Sequence, residues 1–369
     1  MKKPHHQVSS ATQAYYELEV IPGLADFARE ELNELVAGRI QPLADERGDR
    51  VPFRYHGHPA RLLQLRRSVA VSQVKHFDIP RPKALLGHQN FEALIGLIEK
   101  TLALHEPGSY GTFHISAAGS QSSVFARIKE QVAARTGLEY DEQVGDLLLT
   151  VRRSQRLSRA STSGESGWEV AVRLSPRPLG ARPWRVCNMP GALNGAVASV
   201  MVGLTRPSVE DRVINLTCGS GTLLIERLLL GSAQRAGGCD IDAAALDCAR
   251  ANLVASGHGD KATLLCCDAG RAPLSAAWAT TVCVDLPFGM LLGSHQSNAA
   301  LYPRLLAEAG RLTLPGGWLV AITHEVRLFQ RVANEQADQW RMKRQVPIKL
   351  PASTRAGTIR PRIYLLQRR

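Results

Sequence analysis

The stretch Val213-Ile214-Asn215-Leu216-Thr217-Cys218-Gly219-Ser220-Gly221-Thr222 reads as a strand, a tight glycine turn and the first residues of a helix. Val213, Ile214 and Leu216 suit a buried strand. Gly219 and Gly221 allow positive φ and close backbone approach. In a doubly wound sheet, such a loop after the first strand cradles a nucleotide-like ligand at the carboxyl end of the strands. Gly238-Cys239-Asp240-Ile241-Asp242 ends the next strand, with Asp240 21 positions after Gly219. Nucleotide-binding sheets place a ribose-binding acid roughly 20 residues beyond their glycine loop. Asp240 would accept hydrogen bonds from ribose hydroxyls, beside Ile241, although capping the following helix is a role open to Asp240 or Asp242.

Leu224 stands where a dinucleotide fingerprint needs a third Gly or Ala, and no P-loop lysine follows the glycines. A ligand with ribose and adenine but no pyrophosphate fits better, and S-adenosylmethionine is such a ligand. Cys266-Cys267-Asp268-Ala269 ends the third strand, where Asp268 would accept from the adenine amine and Ala269 would offer its N–H. Val284-Asp285-Leu286-Pro287-Phe288-Gly289 ends the fourth. The first and fourth strands flank the switch point, so Asp285 is expected in the same crevice as the glycine loop. The exocyclic amine of a nucleobase is a poor nucleophile. Asp285 and a backbone carbonyl at Leu286 or Pro287 would accept its hydrogens, and Phe288 would stack on the base, which must leave its own stack to enter.

Around these motifs, strands are expected at 212–217, 236–241, 262–267, 281–285, 316–323, 344–350 and 361–367. Helices are expected at 191–204, 221–230, 243–255 and 298–312. The alternation predicts a doubly wound, mostly parallel seven-stranded sheet. Earlier residues read as mixed α+β: a strand and helix over 13–36, a strand near 71–79, a helix over 84–104, a short strand at 113–115, a helix over 122–136, and strands at 146–151 and 168–174. The Pro- and Arg-rich stretch 175–188 reads as a linker.

The chain of 369 residues carries net charge +12. Residues 151–200 hold eight Lys/Arg against two Asp/Glu, and residues 301–369 hold thirteen against four. Two basic stretches on an otherwise balanced chain suggest a polyanion partner, or else a solvated basic surface. No apolar run is long enough to cross a bilayer, and MKKPHHQVSS lacks the apolar core of a secretory signal. The seven cysteines are odd in number and lack a C-x-x-C pair, so reduced, buried thiols in a cytoplasmic protein and no metal site are expected.

Asp285-Leu286-Pro287-Phe288-Gly289 resembles the motif of the amino methyltransferases, and the chain as a whole is similar to the THUMP-domain tRNA guanine-N(2) methyltransferases. Ile21-Pro22-Gly23-Leu24 with Glu30-Glu31-Leu32 is similar to that family's ferredoxin-like opening. Asp146 to Leu149, Trp168 to Val172 and Arg177 to Arg185 resemble the end of a THUMP domain and its exit. Gly191-Ala192-Leu193-Asn194 resembles the segment that closes over the cofactor. The resemblance implies a Rossmann-like methyltransferase domain over 189–369, after a ferredoxin-like domain over 1–72, a THUMP domain over 73–174 and a linker over 175–188. It implies that Asn194, Asn215, Thr217, Cys218, Gly219, Ser220, Gly221, Thr222, Asp240, Ile241, Asp268, Ala269 and Asp285 hold S-adenosylmethionine.

The resemblance also implies that the THUMP domain grips the 3′ end of tRNA and measures toward a base in the acceptor region. Arg127, Arg152, Arg153, Arg156 and Arg182, with Arg159, are the candidate phosphate contacts. A monomer is expected. Two departures stand out: Asn215 replaces the family's usual Asp, and Leu286 its commoner Pro. Ribosomal RNA as substrate, or an RNA-binding protein with a relic cofactor fold, are the competing readings. His324 is a weaker candidate base.

Overall fold

The computed structural model describes residues 14–43, 48–154, 167–287, 295–351 and 357–369. Phe288, Arg156 and Arg159, all given roles above, lie outside the described residues. The chain divides into two units, one comprising the chain up to Val20 with Ala28–Leu179, the other Ile21–Phe27 with Gly180–Arg369.

In the first unit, eight strands form one sheet: β1 (Ala14–Glu19), β2 (Ile40–Pro42), β3 (Arg50–Tyr55), β4 (Ala70–Phe77), β5 (Thr112–Ala117), β6 (Glu139–Tyr140), β7 (Leu147–Arg153) and β8 (Trp168–Arg173). Their order is β2-β3-β1-β4-β8-β7-β5-β6. Helices α1 (Ala25–Leu35), α2 (His88–Leu102) and α3 (Ser123–Thr136) complete the expected α+β pattern. Strands β2 and β3 were not anticipated. Pro52 interrupts the period-two pattern of β3 and reads as a breaker.

Arg152 overturns one expectation. It does not present itself to phosphate. From β7 it reaches across β8 and β4 to Glu17 on β1, with nitrogen–oxygen distances of 3.0 and 2.7 Å, and it also bonds Glu169 at 3.2 Å. Arg50 pairs with the same Glu17, and Ser154 donates to Glu169 at 3.1 Å. Burial alone would raise the Glu17 carboxyl, but Arg152 and Arg50 hold it below its ordinary range. Arg152→Ala would leave two buried carboxylates without their shared cation, a loss of about 3–5 kcal/mol. Thermal unfolding should register it as a large drop in Tm. An unchanged Tm with weakened RNA binding would restore the phosphate role. Arg153 is exposed and lies 5.5 Å from the Trp168 ring centroid, and Arg127 is exposed on α3.

The second unit contains the expected seven-stranded sheet. Its strands are β9 (Arg212–Asn215), β10 (Arg235–Asp240), β11 (Thr263–Cys266), β12 (Ala279–Asp285), β13 (Thr313–Thr323), β14 (Trp340–Pro347) and, beyond the short ribbon β15 (Leu350–Pro351) and β16 (Thr358–Ile359), β17 (Arg362–Arg368). The order is β11-β10-β9-β12-β13-β17-β14, in which β17 alone runs against its neighbours. β9 and β12 are therefore adjacent, and the chain departs from them in opposite directions across the sheet. Side chains of these central strands pack with α7 (His295–Leu312) and α8 (Val326–Glu335) in a cluster that includes Ile214, Val282, Val284, Leu305 and Phe329. α8 was missed in the sequence; its buried face is only Leu328, Phe329, Val332 and Ala333, among charged and amide residues.

Helix α4 (Gly195–Leu204), apolar apart from Ser199, is buried throughout Gly195–Val202, as a helix without a polar face should be. Helices α5 (Thr222–Leu229) and α6 (Ala243–Ala255) follow β9 and β10. Among the described residues, no helix is long and apolar enough to cross a membrane. The expectation of reduced cysteines fails at one pair: Cys187 and Cys248 form a disulfide across 61 residues. Only the fold brings their Cα atoms to 5.4 Å, so no local spacing announced the bond. Cys266 is exposed rather than buried.

Candidate active site

The carboxyl ends of β9, β10, β11 and β12 meet at a cleft of about 630 Å³. Its floor is the glycine turn. Gly219 (φ 51°) and Gly221 (φ 84°) both lie in the left-handed region, which only glycine enters without strain. Asn215 is buried, and its Oδ1 accepts the Thr217 N–H at 3.3 Å, so the amide fixes the turn without a charge. The Thr217 hydroxyl in turn accepts the Asp285 N–H at 2.9 Å, joining the ends of β9 and β12.

Asp240 and Asp242 divide the two roles the sequence left open. Asp242 caps α6 by accepting the Ala244 N–H at 2.9 Å. Asp240 accepts the Gly219 N–H at 2.7 Å through one oxygen and the Asp242 N–H at 3.1 Å through the other. Ile241, beside it, is 76% exposed, an unusual solvent position for a large apolar side chain and one suited to a flat apolar ring. Asp268 and Ala269 line the far end. The Gly270 N–H and Arg304, bonded to Asp268 at 2.8 and 2.6 Å, hold that carboxyl below its ordinary range.

Asp285 sits at the other end, with the glycine turn between. Burial pushes its carboxyl up to about 7, and no cation in the site offsets that desolvation. Leu286 does not line the cleft; its side chain is core. Pro287 does, but its carbonyl already accepts Asn298 Nδ2 at 2.9 Å and the Tyr302 hydroxyl at 2.8 Å. Both lone pairs of that oxygen are used. Of the two carbonyls expected to receive an amine hydrogen, Pro287 is therefore ruled out by its partners, and Leu286 has none among the described residues.

Thr217, Cys218, Gly219, Ser220, Thr222 and Asn215 all line the cleft. Gly221 and Asn194 lie outside its lining. Gly221 lies beneath the turn, where an added Cβ would come 3.2 Å from the Ala249 methyl carbon. Asn194 caps α4 by accepting the Ala196 N–H at 2.8 Å. Arg182, expected on RNA, is buried against Glu226 at 2.7 Å and lies across Gly195, where it anchors the segment entering the cleft.

Met189 to Leu193, which include most of the segment expected to close over the cofactor, form a wall. Other contributors carried no sequence signal. Arg185 holds that wall by bonding the Leu193 carbonyl at 2.7 Å and the Thr222 hydroxyl at 3.0 Å. Buried Asn252 bonds the Ser220 carbonyl and both backbone groups of Cys187, each at 2.9 Å. Leu301, Arg304 and Leu305 of α7 close the opposite side. Each depends on contacts between residues distant in sequence. His324 is half-buried and does not line the cleft.

Residues 182–354 match the family of RMKL-like methyltransferase domains. The mouse (Mus musculus) tRNA (guanine(6)-N(2))-methyltransferase THUMP3 is 27% identical over 191 residues, covering 48% of this chain and 37% of that protein. The tRNA (guanine(6)-N2)-methyltransferase of Methanocaldococcus jannaschii is 24% identical over 189 residues, covering 41% and 50%. The chain thus spans half or less of the length of these curated relatives. Among solved structures, TrmN from Thermus thermophilus shares the fold over 96% of this chain and 99% of its own, with a TM-score of 0.69 at 23% identity.

The lining of the cleft decides what it can hold. Among the described residues, Asp240, Asp242, Asp268 and Asp285 line it against a single arginine, Arg304. A pyrophosphate would meet net repulsion there, whereas a sulfonium with a ribose and an adenine would meet acceptors, an apolar side chain and a favourable field. The residues present fit S-adenosylmethionine. Among the described residues, no group of three or more His, Cys, Asp or Glu could hold a metal ion.

Proposed function

We propose that the protein transfers a methyl group from S-adenosylmethionine to the exocyclic N(2) amine of a guanosine in tRNA. The observation that carries this reading is Asp285, a desolvated carboxylate at the end of the strand beside the glycine turn, in the same cleft as the ribose acceptor Asp240. The curated relatives named for guanine N(2) methylation of tRNA support the substrate assignment.

Bound at Gly219–Ser220, Asp240 and Asp268, the cofactor supplies an electrophilic methyl on a cationic sulfur. The chain supplies position. Asp285 accepts an amine hydrogen, with the Leu286 carbonyl as the second acceptor. This opposes delocalisation of the nitrogen lone pair into the ring and aims it along the forming bond. Transfer of the methyl from sulfur to nitrogen would leave the amine with one proton too many. A carboxylate of pKa about 7 is matched to receive it near neutral pH and pass it to water. Most of the acceleration comes from alignment, because an in-line displacement of this kind needs little covalent assistance. Phe288 stacks on the extruded base in this reading.

The first unit is read as a ferredoxin-like domain over 1–72 followed by a THUMP domain over 73–174, which grips the 3′ end of tRNA through exposed Arg127 and Arg153. The basic strand β14, at the edge of its own sheet, offers a second set of phosphate contacts through Arg341, Lys343 and Arg344. We read the enzyme as a cytoplasmic monomer.

The test is incubation with methyl-labelled S-adenosylmethionine and unmodified tRNA, followed by nucleoside mass spectrometry. Label in N(2)-methylguanosine is expected. Label in ribosomal RNA alone would overturn the substrate, and cofactor binding without label in any RNA would overturn the activity.

A further inference from the structure

The Pro287 carbonyl is held by two side chains of one helix. Asn298 and Tyr302 lie one turn apart on α7, each 1% exposed, and both donate to that oxygen. The proton inventory around them closes. A tyrosine has one hydroxyl proton, and it is committed to Pro287. The Thr323 hydroxyl, 2.7 Å away, must therefore donate its own proton to the tyrosine oxygen. Thr323 Oγ1 can then accept the Glu325 N–H, at 2.9 Å. Asn298 commits its second amide proton to Glu325 Oε1 at 3.2 Å, and His295 Nδ1 meets Glu325 Oε2 at 2.6 Å. The Leu286 N–H donates to the Ile322 carbonyl at 3.1 Å.

The Asp285–Pro287 turn is thus gripped from α7 and from the end of β13. A strand-to-loop turn needs no such grip to be stable, since an exposed proline carbonyl is served by water. A polar network with this much directionality, buried beneath a turn, fixes geometry.

We propose that Tyr302 and Asn298 are positioning residues for methyl transfer. They occupy the Pro287 carbonyl and hold the turn so that the Asp285 carboxylate stands at one place in the cleft. The inference rests on the methyltransferase reading above. Neither residue touches cofactor or base in this role.

Tyr302→Phe tests it, because the ring keeps its place against Phe329 (centroids 6.4 Å apart) while the hydroxyl is lost. The expected result is a fall in kcat of about 10–100-fold, the range that a sub-ångström to 1 Å displacement of a catalytic group produces. KM and calorimetric Kd for S-adenosylmethionine should move less than about twofold, against the tenfold or more that loss of a charge-assisted contact produces. Thr323→Val should give a smaller fall in kcat, and Thr323→Ser, which keeps the hydroxyl, should restore it.

Hydrogen exchange at the Leu286 amide provides a readout independent of activity: it should accelerate in Tyr302→Phe while the amides of 213–217 stay protected. An unchanged Leu286 amide, or a kcat that falls only in step with Tm and cofactor affinity, would overturn the positioning role. If the wild-type protein methylates no RNA, the functional reading fails, and the exchange data still decide whether the clamp holds the turn.

Discussion

Asp285→Ala is expected to lower kcat for methyl transfer by about 10²–10³-fold, the usual consequence of removing one preorganised group from a reacting centre. The cofactor Kd should change little, because Asp240 and the glycine turn stay intact. Burial holds the Asp285 carboxyl up at about 7, so the rate in the wild type should rise with pH through about 7 and then level off as the acceptor carboxylate forms. Asp285→Asn keeps one acceptor oxygen and cannot titrate, so it should retain part of the activity and lose this limb of the profile.

Stability supplies an independent check with the opposite sign. The folded-state pKa lies above the ordinary 3.8, so between about 4 and 7 the folded protein binds the extra proton and the unfolded chain does not. Stability from this group is present at low pH and is lost as pH rises through that window. Asp285→Asn should therefore be more stable than wild type at pH 8, with a ceiling of about 4 kcal/mol that water in the open cleft reduces. Near pH 4 the difference should vanish. A variant less active yet more thermostable only above neutrality is the signature of a carboxylate kept desolvated for function. Equal Tm values at pH 8, with full turnover, would remove Asp285 from the centre of the reaction.

What the sequence disclosed about this site follows from locality. Strand, glycine turn and the acids at strand ends are set by neighbours a few residues apart, so Gly219, Asp240, Asp268 and Asp285 could be placed in one crevice before any contact was known. Charge was a poorer guide. Arg152 and Arg182 share a basic composition with Arg127 and Arg153, yet the first two are consumed by Glu17, Glu169 and Glu226. Their partners lie 135, 17 and 44 residues away, beyond any window of pattern. The same distance hid Arg185, Asn252 and the Cys187–Cys248 bond, which fasten the wall of the cleft to α5 and α6. Asn215 stands where the family usually has Asp. In place, its oxygen does the work of holding the turn, and a charge there would have added a fifth carboxylate to a cleft that already has four.

Asp240→Ala should weaken S-adenosylmethionine binding by about 10²–10³-fold, and the loss should fall on affinity rather than on the chemical step. Two effects combine. Hydrogen bonds from the ribose hydroxyls to a carboxylate are worth about 1.5–3 kcal/mol each. The same carboxylate also organises the site before any ligand arrives, because it fixes the Gly219 N–H and the Asp242 N–H that open α5 and α6. Asp240→Asn separates these contributions: its single oxygen can serve only one of the two N–H groups, and its NH2 faces the other, so an intermediate loss is expected. Because the ribose is common to substrate and product, S-adenosylmethionine and S-adenosylhomocysteine should be weakened by the same factor. At saturating cofactor, kcat should remain within a few-fold of wild type, since the Asp285 turn is anchored separately through Thr217, Asn298 and Tyr302. Calorimetric titration of both ligands against both variants decides the matter. Binding within threefold of wild type would reduce Asp240 to a turn-stabilising residue. A loss confined to the charged ligand would mean that Asp240 reads the sulfonium rather than the ribose.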